Sequence, residues 1–419
     1  MRLLFVVQRY GAEVAGGAET FCRLFAERLA VRAHDVDVLT SCALRYIDWE
    51  NHYPAGTSEL DGVTVHRLPV GRPREDRLFE PLHRRIITGQ KPIPLHLQEA
   101  WMQMQGPYLP DLQTWLADHA AEYDVVVFFT YLYYSTWVGL PAASGVTTTV
   151  LHPTAHDEPT LYLPIFDFLF RLPHGLGFLS EEEVDLVRRR FNVSRPFTVT
   201  GIGVDLDGVA RGADDEASFR RDYGLGDAPY LLYVGRIDPH KGSVELFDAF
   251  VAYKARNPGP LRLVIVGDPV RPLSPHDDIV VTGFVSEATK HAAMAGCLAF
   301  VHPSYFESFS IVLCEAWSHN KPALVQGRCD VLTGMARRSG GGIPYVGYRE
   351  FEAAVDLVTA DTPLRLRLGT AGRSYVEARY QWDVVIDKYE RFLESLASRR
   401  PTRFTTVNRF AAPPIDLAR

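Results

Sequence analysis

Hydrophobic positions along this chain fall into short unbroken runs separated by stretches with helical spacing. Residues 2–8 predict a strand. After a loop at 11–17 that holds Gly16 and Gly17, Phe21, Leu24, Phe25 and Leu29 mark one face of a helix, and residues 35–40 alternate as a second strand. This β–loop–α–β order opens a doubly wound sheet. Further strands are predicted at 124–129, 147–151, 176–179 and 197–200, and Ser180 with Glu183 forms a capping box that opens a helix to Phe191. The glycine-rich stretch 201–212 ends this pattern and predicts an interdomain linker. The alternation then restarts, with strands at 230–234, 261–266, 279–285, 298–301 and 323–326 and helices at 242–254, 287–295 and from about Ser310. Helices follow near 349–359, 363–379 and 381–398, the last with Val385, Tyr389, Phe392 and Leu396 on one face. The predicted fold is α/β, with two doubly wound Rossmann-like domains at 1–204 and 205–379, a helix at 380–398 and a disordered tail at 399–419.

Two stretches depart from that rhythm. Residues 48–105 show little periodicity and carry Arg67, Arg72, Arg74, Arg77, Arg84, Arg85 and Lys91 against Glu75, Asp76 and Glu80. They read as a solvated, mobile insertion, or else as a surface (67–91) that meets an anionic acceptor or the inner face of a membrane. Residues 125–151 have no charged residue, but polar and glycine positions interrupt them, so two buried strands joined by a loop explain them better than a membrane span. The start, MRLLFVV, reads as a first strand and not a signal peptide, because Gln8 and Arg9 break it and no small-residue cleavage site follows. A length of 419 residues suits two domains of about 200 each. A net charge of −7 argues against a nucleic-acid partner. The five cysteines form no close pair and read as reduced core residues of a cytoplasmic protein.

The chemistry gathers after strand ends. In HPSYFESFSIVLCEAW (302–317) a strand runs through a polar loop into a helix, which turns backbone N–H groups toward the carboxyl end of the sheet, a place for phosphate. A carboxylate there would be repelled by that phosphate, so Glu307 suits sugar hydroxyls. Glu315, five residues into the helix and roughly 7 Å along it, suits a ribose hydroxyl. In GRIDPHKG (235–242), Arg236 and Lys241 flank a proline turn and can converge on one anion, a fork and a point charge that suit a diphosphate. His152 and His156 follow another strand end; either can face a ligand or tie down a proline-rich loop. Neither a dinucleotide fingerprint, a P-loop nor a Gly-x-Ser-x-Gly elbow is present. Of the Asp-x-Asp pairs, Asp35/Asp37 alternates along a strand and Asp205/Asp207 lies in the linker, so neither reads as a metal site.

The spacing of Glu307 and Glu315, with Phe309 and Ala316 beside them and Arg236…Lys241–Gly242 upstream, resembles the signature of the family 4 retaining glycosyltransferases. His156–Asp157 resembles the family's His-Asp, and only 48–105 and the tail fall outside the likeness. The resemblance implies a GT-B architecture, with the last helix crossing back to the first domain. It implies catalytic roles for His156 beside the donor sugar, for Arg236 and Lys241 on the donor diphosphate and for Glu307 on the sugar. It further implies donor contacts from Gly16, Gly17, Phe309, Ser310, Ile311 and Val312, with Glu315 on the ribose. Residues 282–290 (TGFVSEATK) resemble the stretch that receives the base in the family's mannosyltransferases, which adds Val285, Glu287 and Lys290 to the donor site. A carboxylate at 287 suits guanine's adjacent N–H donors, although a Glu in a first helical turn is also favoured by the helix dipole. A GDP-mannose-like donor is therefore expected, with a UDP-sugar as the alternative. The implied reaction retains configuration by front-face attack and needs no metal and no cofactor, the nucleotide-sugar being a co-substrate. The acceptor is a glycan, lipid-linked or small-molecule hydroxyl. The competing readings are a nucleotide-sugar epimerase or hydrolase and a catalytically silent nucleotide-sugar binding protein.

Overall fold

The computed structural model describes residues 1–14, 16–237, 241–268 and 274–398. The tail expected to be disordered and the proline turn between Arg236 and Lys241 lie outside the described residues. The chain divides into two compact units, Met1–Thr200 with the chain from Ile386 on, and Gly201–Val385.

In the first unit, β1 (Arg2–Val6), β2 (Asp35–Ser41), β3 (Gly56–Leu60), β4 (Val63–Leu68), β5 (Val125–Phe129), β6 (Thr148–His152), β7 (Gly175–Phe178) and β8 (Phe197–Val199) form one sheet in the order β3-β4-β2-β1-β5-β6-β7-β8. All pairings are parallel except β3 with β4. The helices are α1 (Gly17–Val31), α2 (Asp76–Thr88), α3 (Leu95–Gln105), α4 (Leu112–His119), α5 (Tyr134–Ser144) and α6 (Glu181–Phe191). The central strands β1 and β5 are nearly all apolar and buried, as strands covered on both faces must be.

In the second unit, β9 (Tyr230–Val234), β10 (Arg262–Val266), β11 (Ile279–Gly283), β12 (Ala299–His302), β13 (Ala323–Gln326) and β14 (Gly342–Tyr345) make a parallel sheet in the order β11-β10-β9-β12-β13-β14. Its helices are α7 (Asp207–Asp222), α8 (Ser243–Arg256), α9 (Glu287–Gly296), α10 (Ile311–Ser318), α11 (Asp330–Ser339), α12 (Tyr348–Ala360) and α13 (Thr362–Arg379). A last helix, α14 (Trp382–Ala397), begins in this unit and ends in the first. Its first-unit portion is anchored by apolar and ionic contacts. Leu396 and Phe392 lie against Gly175, where a Cβ would come within 2.4 Å and 2.8 Å of them, and Glu390 accepts from His34 at 3.0 Å.

Several expectations are overturned. Residues 48–105 are not a mobile insertion: β3, β4, α2 and α3 extend the first unit, and Trp49, Phe79, Ile86, Trp101 and Met102 enter its core. Arg67 and Arg74 are not surface charges either. Arg67 donates to the Ser58 hydroxyl and the Tyr10 carbonyl, and Arg74 to the carbonyls of Met104 and Gln105. Between β5 and β6 lies helix α5 rather than a loop. Neighbours crowd even its glycine, since a Cβ at Gly139 would stand 2.8 Å from the Phe128 ring. The predicted linker is shorter than 201–212, because α7 begins at Asp207. Its glycines serve close contact instead: Tyr380 covers Gly201, Trp382 covers Gly203, and Val204 N–H donates to the Tyr380 carbonyl at 2.7 Å. Strand β11 stops at Gly283, so Val285 stands in the turn before α9, and α11 and β14 were not anticipated. The five cysteines are free and buried. Among the described residues no helix is long and apolar enough to cross a membrane.

Candidate active site

Strand order locates the candidate site of the second unit. Successive strands run outward from β9 through β10 to β11, and the chain then returns to place β12 on the other side of β9. Loops leaving the carboxyl ends of strands at such a reversal diverge, and the crevice between them is where open parallel sheets bind ligands. The loop after β9 carries Arg236 and Lys241, and the loop after β12 carries Glu307 and leads into α10.

The reversal brings Lys241 and Glu307 together. Lys241 Nζ donates to Glu307 Oε1 at 2.7 Å, and His302 Nε2 lies 3.6 Å from the same oxygen. Burial works against ionisation of Glu307, but Lys241 and His302 outweigh it and hold the carboxyl below its usual range. His302, the last residue of β12, is buried and held neutral, its pKa lowered by burial to about 4. Next along the chain, the Ser310 hydroxyl caps α10 by accepting from Leu313 N–H at 3.2 Å. Helix geometry leaves the amides of Ile311 and Val312 without intrahelical acceptors, a positive helix end four residues past Glu307. Phe309 turns its side chain inward against the Tyr380 ring, so only its backbone can serve a ligand. Arg236 is exposed on the loop after β9, and the Tyr233 hydroxyl fixes its carbonyl at 2.7 Å.

A second ionic group stands beside the same helix. Lys290 Nζ donates to Glu287 Oε2 at 2.7 Å and to Glu315 Oε1 at 2.8 Å. Burial disfavours the ammonium, yet the two carboxylates overcome this and raise its pKa. Glu287 is 79% exposed, whereas Glu315 is buried and its Oε2 has no hydrogen-bond partner. A buried oxygen left this way is costly unless a donor such as a hydroxyl reaches it. Glu287, His291 and Glu315 offer ligand atoms within 4.8 Å of one another, a spacing that could hold a metal ion. The Lys290 ammonium already bridges the two carboxylates, and His291 Nδ1 lies 2.9 Å from His319 Nε2. A metal would have to displace the ammonium.

In the first unit the strand order reverses between β1 and β5, and Gly16 and Gly17 follow β1. The two glycines differ. A Cβ at Gly16 would stand 2.2 Å from Glu19 Oε2, and Glu19 is locked in a buried pair with Arg9, whose Nε donates to it at 2.9 Å. A Cβ at Gly17 would meet nothing within 4 Å. Gly16→Ala should therefore cost roughly 1–3 kcal/mol of stability through overpacking. Gly17→Ala should unfold as the wild type does and lose activity through a ligand's close approach. Thermal melts and turnover of both variants check this; full activity in Gly17→Ala would remove Gly17 from the ligand's path.

His156 lies partly exposed on the loop after β6, and Asp157 accepts from the Tyr162 hydroxyl at 2.6 Å. His152 does not face a ligand. It is fully buried, stacked on Phe129 and 2.9 Å from the Tyr389 hydroxyl, and burial lowers its pKa to about 3. The capping box of α6 is only half formed: Ser180 accepts from Glu183 N–H, but the Glu183 carboxylate turns away to the amides of Ala155 and Leu179. Arg9, Glu19 and His302 were not anticipated.

The chain is similar to known proteins over most of its length. Residues 16–203 match the family model "Glycosyl transferase 4-like domain", and residues 215–375 match "Glycosyl transferases group 1". A GDP-mannose-dependent alpha-mannosyltransferase of Mycolicibacterium smegmatis is 32% identical over 429 residues, spanning 96% of this chain and 100% of that protein. An alpha-D-kanosaminyltransferase of Streptomyces kanamyceticus is 30% identical over 195 residues, 44% of this chain and 49% of that protein. Among solved structures, sucrose-phosphate synthase from Thermosynechococcus elongatus superposes with a TM-score of 0.69 at 18% identity, covering 95% of this chain and 100% of that one. The Anabaena protein HepE in complex with UDP gives a TM-score of 0.69 at 17% identity, covering 94% and 100%.

Proposed function

The chain belongs to the family 4 glycosyltransferases and is a glycosyltransferase of GT-B fold, and we propose that it moves a mannosyl group from GDP-mannose to an acceptor hydroxyl with retention of configuration. The observation that carries this reading is the row of groups along α10: Lys241–Glu307, the backbone amides of the helix start, then Lys290–Glu315 with its unpartnered Oε2. We read that row as the site of one nucleotide-sugar. Glu307 takes the sugar hydroxyls, Arg236, Lys241 and the amides of Ile311 and Val312 take the diphosphate, and Glu315 Oε2 accepts from the ribose. Glu287, exposed and paired with Lys290 Nζ, accepts from the two adjacent N–H donors of guanine, where uracil offers one. The name of the Mycolicibacterium relative supports the same donor.

In the reaction, Arg236, Lys241 and the helix end stabilise negative charge growing on the leaving diphosphate. Those positive groups do the work a metal ion would do, so the reading needs none. His156 donates a hydrogen bond to the sugar, and the departing phosphate takes the acceptor's proton. The reading makes this a cytoplasmic enzyme, and the exposed Arg72, Arg77, Arg84 and Arg85 would meet an anionic acceptor or the inner leaflet.

Calorimetry with GDP, UDP and ADP in excess chelator, on wild type and Glu287→Ala, tests the donor. GDP should bind tightest, and the substitution should weaken it by about tenfold, which is about 1.4 kcal/mol. Turnover of GDP-mannose should survive the chelator. A preference for UDP would remove the mannosyl donor, and turnover lost to chelator and restored by manganese would remove the metal-free mechanism.

A further inference from the structure

Glu183 is buried, 1% exposed, and no basic side chain pairs with it among the described residues. An isolated buried carboxyl is costly, and such groups persist where their hydrogen bonds hold something in place. Its Oε1 accepts from Ala155 N–H at 2.7 Å and its Oε2 from Leu179 N–H at 2.8 Å. The group thus ties the start of α6 to the loop that leaves β6, two pieces of chain 28 residues apart. That loop needs a tie. Thr154 has a φ of 49°, a left-handed conformation uncommon for a residue with a Cβ, and Ala155 is drawn into the core just before His156.

We propose that Glu183 is a positioning residue, one that sets the backbone of Thr154–His156 and thereby aims His156 at the donor sugar. The proposal rests on the role given to His156 above. Burial pushes the Glu183 carboxyl up to about 8, against the pull of the Leu179, Ala155 and Thr154 amides. Helix α6 is already capped by Ser180 without help from this carboxylate.

The test compares Glu183→Gln with Ser180→Ala in the full chain. Gln keeps the shape but has one acceptor where two are used, whereas Ser180→Ala weakens the same helix start and leaves the Ala155 bond intact. Glu183→Gln should lower kcat for GDP-mannose turnover at least tenfold while GDP affinity stays within twofold. It should also speed hydrogen exchange of residues 153–158, measured with no substrate present. Ser180→Ala should lower Tm by a few degrees and change neither kcat nor that exchange. In a His156→Ala background Glu183→Gln should cost nothing further, as residues acting through one another are not additive. If the two variants match in kcat and in exchange, or if Glu183→Gln is fully additive with His156→Ala, the proposal is wrong. Should the Gln variant not fold, Glu183→Asp keeps the carboxyl on a side chain one methylene shorter, which should reach only one of the amides, and the same comparisons decide. If the wild type turns over no mannosyl donor, the donor reading fails, and the exchange contrast still decides whether Glu183 holds this loop.

Discussion

Replacing Lys241 by Met is expected to lower kcat by about 10²- to 10³-fold, which is about 3–4 kcal/mol of transition-state stabilisation. Two losses combine. The leaving diphosphate loses a cation, and Glu307 loses the donor that holds it at 2.7 Å. Lys241 is one-third exposed and Glu307 nearly buried, so breaking the pair should also cost stability, about 1–3 kcal/mol when one partner of a largely buried pair is removed. The pH dependence should reverse. In the wild type the Glu307 carboxyl lies below its ordinary value of 4.5, so its stabilising contribution is present above that value and fades as the pH falls through the folded pKa. In Lys241→Met, burial dominates and raises the carboxyl above 4.5, so stability should fall as the pH rises from that value toward neutrality. Adding Glu307→Gln should restore the melting temperature and flatten its pH dependence without restoring activity. Steady-state kinetics and melts between acid and neutral pH check both halves. A Lys241→Met enzyme within threefold of wild-type kcat would take this lysine out of the reaction.

Gly242→Ala is expected to damage both the stability of the second unit and the site. Gly242 has a φ of 66°, and its Cβ would stand 2.2 Å from the Pro303 carbonyl oxygen and 2.9 Å from its carbon. The left-handed conformation alone costs roughly 1–2 kcal/mol for a residue with a Cβ. The clash is with backbone and no rotamer relieves it, so the two loops that hold Lys241 and Glu307 must part. A total loss of about 3 kcal/mol or more in the second unit is expected, with kcat falling alongside. Gly224→Ala is the control. Its φ is 61°, and a Cβ there meets nothing within 4 Å, so only the conformational part should appear. Urea unfolding of both variants separates the two contributions. Equal losses would mean that the close approach of Gly242 to Pro303 does not matter to the site.

Much of the site is legible in the amino-acid order alone. Lys241 reads as an anion ligand and Glu307 as a partner of hydroxyls because each follows an apolar run at the end of a strand, and the resemblance to the family joins them on one ligand. That they hold each other is not legible, since it needs β9 and β12 side by side, a neighbourhood set by strand order. Lys290 shows the same division. Its pairing with Glu287, three residues earlier on α9, follows from helical spacing. The pairing with Glu315, 25 residues later, exists only because α9 and α10 lie together. Glu183 is legible as a capping residue from local spacing, and its actual partner, Ala155, is not.

By itself the sequence determined the α/β alternation, the two sheets and the charged residues on the loops that follow the strands. Buried parallel strands must be continuous apolar runs, and ligand loops must carry charge, whatever surrounds them. Only the tertiary structure decided the segment 48–105 and helix α5. In the first, scattered apolar residues such as Trp49, Phe79 and Trp101 become a core once distant chain packs on them, and Arg74 spends its charge on the carbonyls of Met104 and Gln105. In the second, the half-buried face of α5 (Tyr134, Trp137, Val138, Pro141, Ala142) is as apolar as the buried one, so no 3.6-residue stripe shows in the sequence. Periodicity records a contrast between the two sides of an element, so it is silent wherever the outer side is apolar too or the apolar partner comes from far along the chain.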